Sequence, residues 1–305
     1  MELQYKVDIA SGGKTVKYIL QHRLMLSQRL IKKLKYNNKI WLNGSPVRVN
    51  EAVSENDLIT VDLEFDEETE GIDAEEMDLD IVYEDDSLIA LNKEPYTVVH
   101  PTAGHRSGTL ANGLKFYYNT KGLSKKIRPV NRLDKDTSGL IIFAKNEYVQ
   151  EHLVKQMKYG KMVKEYLGVV FGNPAEDRFT IDKPIERKPG SIMERQISET
   201  GQRCITHVQV VERFKEASLL KFRLETGRTH QIRVHCQSAG IPLVGDTLYG
   251  TPETAVSKLN RIILRQALHS YNISFSHPTT GSTLCLTANL PEDINCLLEI
   301  LRNNR

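Results

Sequence analysis

Arg132-Leu133-Asp134-Lys135-Asp136-Thr137-Ser138-Gly139-Leu140-Ile141-Ile142-Phe143-Ala144 joins a polar turn to an apolar strand. Thr, Ser and Gly behind two acids are turn chemistry, and Leu140–Ala144 has the length and composition of a buried strand. The turn therefore presents a carboxylate, Asp134, at the start of a strand, with Arg132 and Lys135 beside it. Further strands are expected at 79–83, 87–92, 165–171, 204–212, 217–225 and 271–275, with the quoted one at 140–145. Helices are expected at 107–118, 146–159, 229–239 and 291–302. Strand and helix do not alternate regularly, which disfavours a doubly wound parallel sheet. An α+β domain with a mixed, mainly antiparallel sheet fits, and no internal repeat is visible.

A second signature, Gly227-Arg228-Thr229-His230-Gln231-Ile232-Arg233, lies about a hundred residues on. Thr229 reads as an N-cap, and Gly240 with Pro242 beyond it as the stop of a helix over 230–239. Arg228 stands just ahead of that helix and Arg233 one turn inside it. A helix start offers free N–H donors to an anion, and an arginine beside a carboxylate favours its charged form. Asp134 is then a competent nucleophile or base. His230 and His235 are five apart without a third ligand nearby, so no metal is expected.

Two other chemistries touch these residues. Asp134 and Asp136 match the acids of a D-x-D-x-T phosphatase nucleophile, but Ser138 holds the last position and the preceding residues are polar rather than a buried strand. Gly13-Lys14-Thr15 suggests a P-loop, but its first glycine would fall on Asp8.

The net charge of +2 over 305 residues conceals an asymmetry. Residues 64–86 carry thirteen of the 39 acids and no Lys or Arg, and without them 41 basic residues face 26 acids, a net +15. Such an excess suits a polyanionic partner. No apolar run approaches the roughly 20 residues of a membrane span, and the mixed first residues do not read as a signal peptide. Cys204, Cys236, Cys285 and Cys296 form no C-x-x-C pair and read as reduced thiols of a cytoplasmic protein.

Residues 1–63 read as a small basic α/β module. A helix over 15–22 buries Val16, Ile19 and Leu20. A second starts at Ser27 as N-cap and exposes Arg29, Lys32, Lys33 and Lys35 around buried Leu30, Ile31 and Leu34. A hairpin turns at Asn43-Gly44, and 58–63 close the sheet. This stretch resembles the alpha-L RNA-binding module. Residues 64–78 form an acidic linker, expected to be mobile, and 79–305 the catalytic domain.

Several further segments stand in order along the chain with the first two. They are Asn92-Lys93-Glu94-Pro95 through Val99-His100-Pro101, Lys164-Glu165-Tyr166, Gly245-Asp246-Thr247-Leu248-Tyr249-Gly250, Gln266-Ala267-Leu268-His269, and Phe275 through Gly281. The ordered set resembles the RluA-type family of pseudouridine synthases. The resemblance implies isomerisation of uridine within RNA, without a cofactor or a metal. It implies that Asp134 is the essential carboxylate, by attack on the sugar or by removal of its 2′ proton. Arg233 is the arginine that pairs with it. By the same resemblance Tyr166 is expected to stack on the uracil and assist the final proton removal. Arg132 enters the RNA stack as the base flips out. Arg228, with Arg29, Lys32, Lys33 and Lys35, is expected to hold RNA. Asp136 supports the turn, and Lys93 and His100 either line the cleft or serve structure. Large-subunit ribosomal RNA is preferred over transfer RNA as partner, and a monomer is expected. Asn131 departs from the histidine common before R-L-D. The alternative is a non-catalytic RNA-binding ribosome-assembly factor on the same scaffold.

Overall fold

The computed structural model describes residues 1–304. Its first part contains β1 (Glu2–Lys6), α1 (Val16–His22), α2 (Gln28–Tyr36), β2 (Ile40–Leu42), β3 (Ser45–Pro46) and β4 (Leu58–Asp62), with sheet order β1-β4-β2-β3. The Thr15 hydroxyl accepts from the Tyr18 N–H and the Ser27 hydroxyl from the Leu30 N–H, so both helices start where a side-chain cap stands. Asn43 (φ 51°) and Gly44 (φ 81°) make the β2–β3 turn, where two successive positive φ angles match the twist of the strands. β1 was not among the expected strands. It buries Leu3 alone and gains its place by pairing antiparallel with β4.

The remainder runs β5 (Ile81–Glu84), β6 (Leu88–Lys93), α3 (Leu110–Thr120), β7 (Arg128–Pro129), β8 (Ser138–Ala144), α4 (Glu147–Lys158), β9 (Val163–Phe171), β10 (Arg178–Asp182), β11 (Ile185–Arg187) and β12 (Arg195–Ile197). It continues with β13 (Ile205–Arg213), β14 (Ala217–Leu224), α5 (Gln231–Ser238), α6 (Pro252–Ala255), β15 (Leu268–Ser276), β16 (Thr283–Thr287) and α7 (Glu292–Asn303). One large sheet has the order β10-β13-β14-β9-β15-β8-β6-β5, with β16 on β15 and β7 on β8. Every pairing is antiparallel except β15 with β8. The fold is thus α+β on a mixed, mainly antiparallel sheet.

β8 is buried at all its residues because both faces are covered. Leu140, Ile142 and Ala144 join a core that includes Val149 and Leu153 of α4, while Ile141 and Phe143 join one with Leu110, Leu114 and Tyr118 of α3. That double burial is why the strand reads as continuous apolar sequence. The parallel seam sets His269 against Ser138 and Ser270 against Gly139. Gly139 has φ 109°, and a Cβ there would lie 2.3 Å from the Ser270 carbonyl oxygen, so only glycine permits this approach.

The acidic stretch is docked, which corrects the expectation of a mobile linker over 64–78. Ile72 is buried with the α3 core, and Met77 and Leu79 pack beside it. The Thr69 hydroxyl accepts from the Ile127 N–H, and Lys115 donates to the carbonyls of Thr69 and Ile72. Three of the acids of 64–86 find cations. Glu67 pairs with Lys33 and Arg128, Glu64 with Lys125, and Glu84 with Lys145. Burial alone would raise the Glu67 carboxyl, but its two cations outweigh burial and hold it below the usual carboxylate range. Composition registers the acids and misses the few apolar residues between them that anchor the run. Among the described residues no helix is long and apolar enough to cross a membrane.

Candidate active site

The turn before β8 is fixed from behind by two buried cations. Lys93, at the end of β6, is fully buried and donates to three carbonyls, those of Glu94 (2.8 Å), Thr97 (2.9 Å) and Lys135 (2.8 Å). Burial first, then the neighbouring Arg265, brings its pKa down to about 7. Three acceptors match the three hydrogens of the ammonium, so loss of the proton would leave one carbonyl unpaired. Arg265 is held bidentate by Asp293 and donates to the Asp136 carbonyl at 3.0 Å. The Thr137 N–H closes the turn on the Asp134 carbonyl, and Gln266 donates to the Thr137 hydroxyl. Lys93 therefore serves the turn, and neither it nor His100, which is exposed, lines the hollow at Asp134.

Asp134 is half-buried, its Oδ2 3.6 Å from Arg233 Nη1 and 3.8 Å from His230 Nε2. The tight partner of Arg233 is another residue. Asp246 accepts from its Nε at 2.7 Å and its Nη2 at 2.8 Å, and also from the N–H groups of Leu248 and Tyr249. Asp246 thus aims the guanidinium and leaves Nη1 for Asp134. The ring of Tyr249 lies 5.0 Å below the same guanidinium.

Helix α5 does not begin as its sequence suggests. Thr229 does not cap it. His230 is the N-cap, in the left-handed conformation (φ 58°) and without a side-chain cap bond. The start is secured by Gln231, whose Oε1 accepts from the Arg228 N–H and the Thr226 hydroxyl and whose Nε2 donates to the Ile205 carbonyl and the Thr206 hydroxyl. The unusual backbone turns the His230 ring toward Asp134. Its Nδ1 lies 2.8 Å from the Tyr249 hydroxyl, which accepts from the Arg195 N–H. When the hydroxyl gives its own hydrogen to Nδ1, the neutral imidazole carries its proton on Nε2, facing Asp134. Burial holds this histidine below its ordinary range against the pull of Asp134.

Two adjoining hollows open at Asp134, and the larger has a volume of about 210 Å³. Arg132, Tyr166 and Arg228 line both, Arg233 lines the smaller and Lys164 the larger. The sequence signatures thus converge in space. Tyr166 is buried on β9, and its pKa is pushed up to about 12, first by burial and with the charge of Asp134 adding to it. It is a phenol at neutral pH. Arg132 and Arg228 are exposed at the rim. Arg29, Lys32, Lys33 and Lys35 line neither hollow; Arg29 pairs with Glu147 and Lys33 with Glu67, while Lys32 and Lys35 are exposed. Asp136 lends its backbone to the turn, as expected. His235 is buried between the Thr206 hydroxyl and the Lys183 carbonyl, away from His230's partners. The phosphatase reading fails on geometry, because Asp134 precedes the buried strand where that nucleophile would end one.

Sequence reasoning missed Asp246, Tyr249 and the orientation of His230. All three lie in motifs that were visible, but nothing in their spacing names their partners.

Comparison with known proteins bears on this geometry. A family model described as RNA pseudouridylate synthase matches residues 87–238. The chain is 38% identical over 277 residues to an uncharacterized RNA pseudouridine synthase, YjbO, of Bacillus subtilis, covering 90% of this chain and 95% of that protein. It is 38% identical over 276 residues to ribosomal large subunit pseudouridine synthase D of Vibrio cholerae, covering 88% and 85%. Among solved structures, human RNA pseudouridylate synthase domain containing 4 is similar with a TM-score of 0.61 at 21% identity, over 73% of this chain and 92% of that one. At that identity the likeness concerns the fold.

Proposed function

The chain belongs to the RNA pseudouridylate synthase family, and on that footing we propose that it isomerises uridines in large-subunit ribosomal RNA with Asp134 as the essential carboxylate. The RNA class follows the ribosomal large subunit synthases it resembles. The observation that carries the assignment of Asp134 is its place, half-buried on a clamped turn, with the Asp246-aimed guanidinium of Arg233 3.6 Å away and Tyr166 lining the same hollow.

In the reaction the N1–C1′ glycosidic bond breaks, the base turns, and a C5–C1′ bond forms. The proton on C5 is lost and N1 gains one, so the RNA keeps its composition. Asp134 serves either as nucleophile at C1′ or as base for the 2′ proton, and both need a charged carboxylate held near the ribose. Arg233 and the Nε2–H of His230 supply positive partial charge on the side from which Asp134 works. Tyr166, as a neutral phenol, offers a flat face for the uracil and a hydroxyl within a proton relay. The flipped base leaves a gap in the RNA stack, and exposed Arg132 at the rim is placed to fill it. Loops and bulges suit such an enzyme because their bases unstack cheaply. Lys32 and Lys35 of the N-terminal module add phosphate contacts.

Asp134→Asn is expected to abolish tritium release from RNA labelled at uridine C5 while RNA binding is kept or slightly tightened, since a negative charge leaves a cationic hollow. Full activity in that variant would remove Asp134 from its role. A pseudouridine map of large-subunit RNA with and without the protein reads the substrate, and an unchanged map would favour the non-catalytic assembly factor.

A further inference from the structure

Two lysines are buried beside this site, and they are held in opposite ways. Lys93 has three carbonyl acceptors at 2.8–2.9 Å. Lys164 is 5% exposed, and among the described residues its ammonium makes no hydrogen bond and no ion pair. Burial alone acts on it, and no carboxylate offsets that burial. The ammonium reaches solvent through the hollow it lines, so a counter-charge that enters the hollow meets it directly.

The surroundings indicate what arrives. Lys164 stands two residues before Tyr166 on β9, so both side chains leave the same face of the strand. Both line the hollow of about 210 Å³ at Asp134. Its ammonium rests against Gly227, where a Cβ would come within 2.9 Å of Nζ, so the glycine that opens the second signature leaves room for it. Arg132 and Arg228 line the same hollow, and Asp134 is its one carboxylate. Three cations against one acid leave an excess of two positive charges in a confined space.

We propose that Lys164 is the seat of a backbone phosphodiester of the RNA, next to the nucleotide that enters the hollow. The inference rests on the chain acting on RNA. The protein leaves this ammonium unpaired when free, and the substrate supplies its counter-charge. A phosphodiester fits better than a uracil oxygen, because a carbonyl would satisfy a hydrogen bond and leave the excess charge standing.

The test uses the full chain, an unmodified large-subunit ribosomal RNA transcript as probe, and the variants Lys164→Met and Lys164→Arg. Met keeps the buried aliphatic stem and removes the charge. Lys164→Met is expected to weaken RNA binding and to lower the slope of log K against log salt by about 0.7–0.9, the value of one phosphate contact. It is also expected to leave Tm of the free protein unchanged or higher, since a partnerless, mostly buried charge is gone. Lys164→Arg keeps the slope. An unchanged slope in Lys164→Met overturns the proposal. So does weaker binding at constant slope, which would put Lys164 on a base oxygen. A lower Tm with unchanged binding would make the lysine structural and also overturns it. Wild-type protein that binds the transcript without releasing tritium from C5 would sink the synthase reading separately, because the slope is read without turnover.

Discussion

Charge at the site is organised by a few residues that act through each other. Arg233 touches Asp134 at 3.6 Å only because Asp246 fixes the other edge of its guanidinium at 2.7 and 2.8 Å. Asp246→Asn would leave that cation buried and free to tilt. A misplacement of about 1 Å in such a group can cost 10²-fold in rate, so kcat is expected to fall about a hundredfold with KM little changed, measured by single-turnover tritium release. A fall in KM-related binding alone would contradict this chain of positioning. That Asp134, Tyr166 and Arg233 meet at one hollow was foreshadowed because each sits in a signature with recognisable neighbours. Asp246 was visible as Gly-Asp-Thr, yet its role was not, since it lies thirteen residues from Arg233 and only packing joins them. His230 first read as a stray potential ligand; with its left-handed backbone its Nε2 stands 3.8 Å from the Asp134 carboxylate.

Elements meet the site at the seam between β8 and β15, where the one parallel pairing of the large sheet brings Gly139 against Ser270. Gly139→Ala places a methyl 2.3 Å from the Ser270 carbonyl at φ 109°. It should lower stability by more than about 3 kcal/mol, beyond the usual range for a point change, or prevent soluble expression. Gly160→Ala makes the comparison, because its φ of 67° is also positive but nothing lies within 4 Å, and it should cost about 1 kcal/mol. Urea midpoints of the two variants measure the difference, and equal midpoints would deny the seam its special role. The elements themselves followed the sequence closely where periodicity or a cap was strong, as at Ser27 or in 140–145. They were missed where strands are short or polar. β10, β11, β12 and β16 carry few buried residues and owe their conformation to neighbours in the sheet. Thr229 looked like a cap by type, but the helix starts one residue later at His230 without a side-chain cap, and Gln231 braces the segment before it.

Across the molecule, stability is tied to a buried histidine at the same seam. His269 is fully buried, its Nδ1 3.0 Å from the Ser138 hydroxyl and its Nε2 3.3 Å from the Ala288 carbonyl. The neutral ring satisfies both, and burial lowers its pKa from 6.5 to about 4. The unfolded chain therefore takes up this proton before the folded one. Stability is complete above pH 6.5, falls as pH drops from 6.5 to about 4, and loses nothing further from this group below that. A shift of this size is worth about 3 kcal/mol. His152 acts in the same direction. Urea midpoints across this window should fall with acid in the wild type and fall less in His269→Gln, whose amide can still donate to Ala288. Identical slopes would show that the acid sensitivity arises elsewhere. The same view changes the acidic stretch: Glu67, between Lys33 and Arg128, joins the N-terminal module to the large sheet instead of separating them.

Sequence alone determined the α+β character and the strands and helices with strong patterns, and its resemblance to a family pointed to Asp134, Tyr166 and Arg233. The elements follow from local rules, since periodicity, caps and turn residues act over a few positions. Only the tertiary structure decided which charge meets which. It gave Arg233 to Asp246, Lys93 to three carbonyls and Glu67 to two cations, and among the described residues it left Lys164 with none. Electrostatic partners are chosen by distance and burial after the chain has folded, and neither is a property of spacing along it.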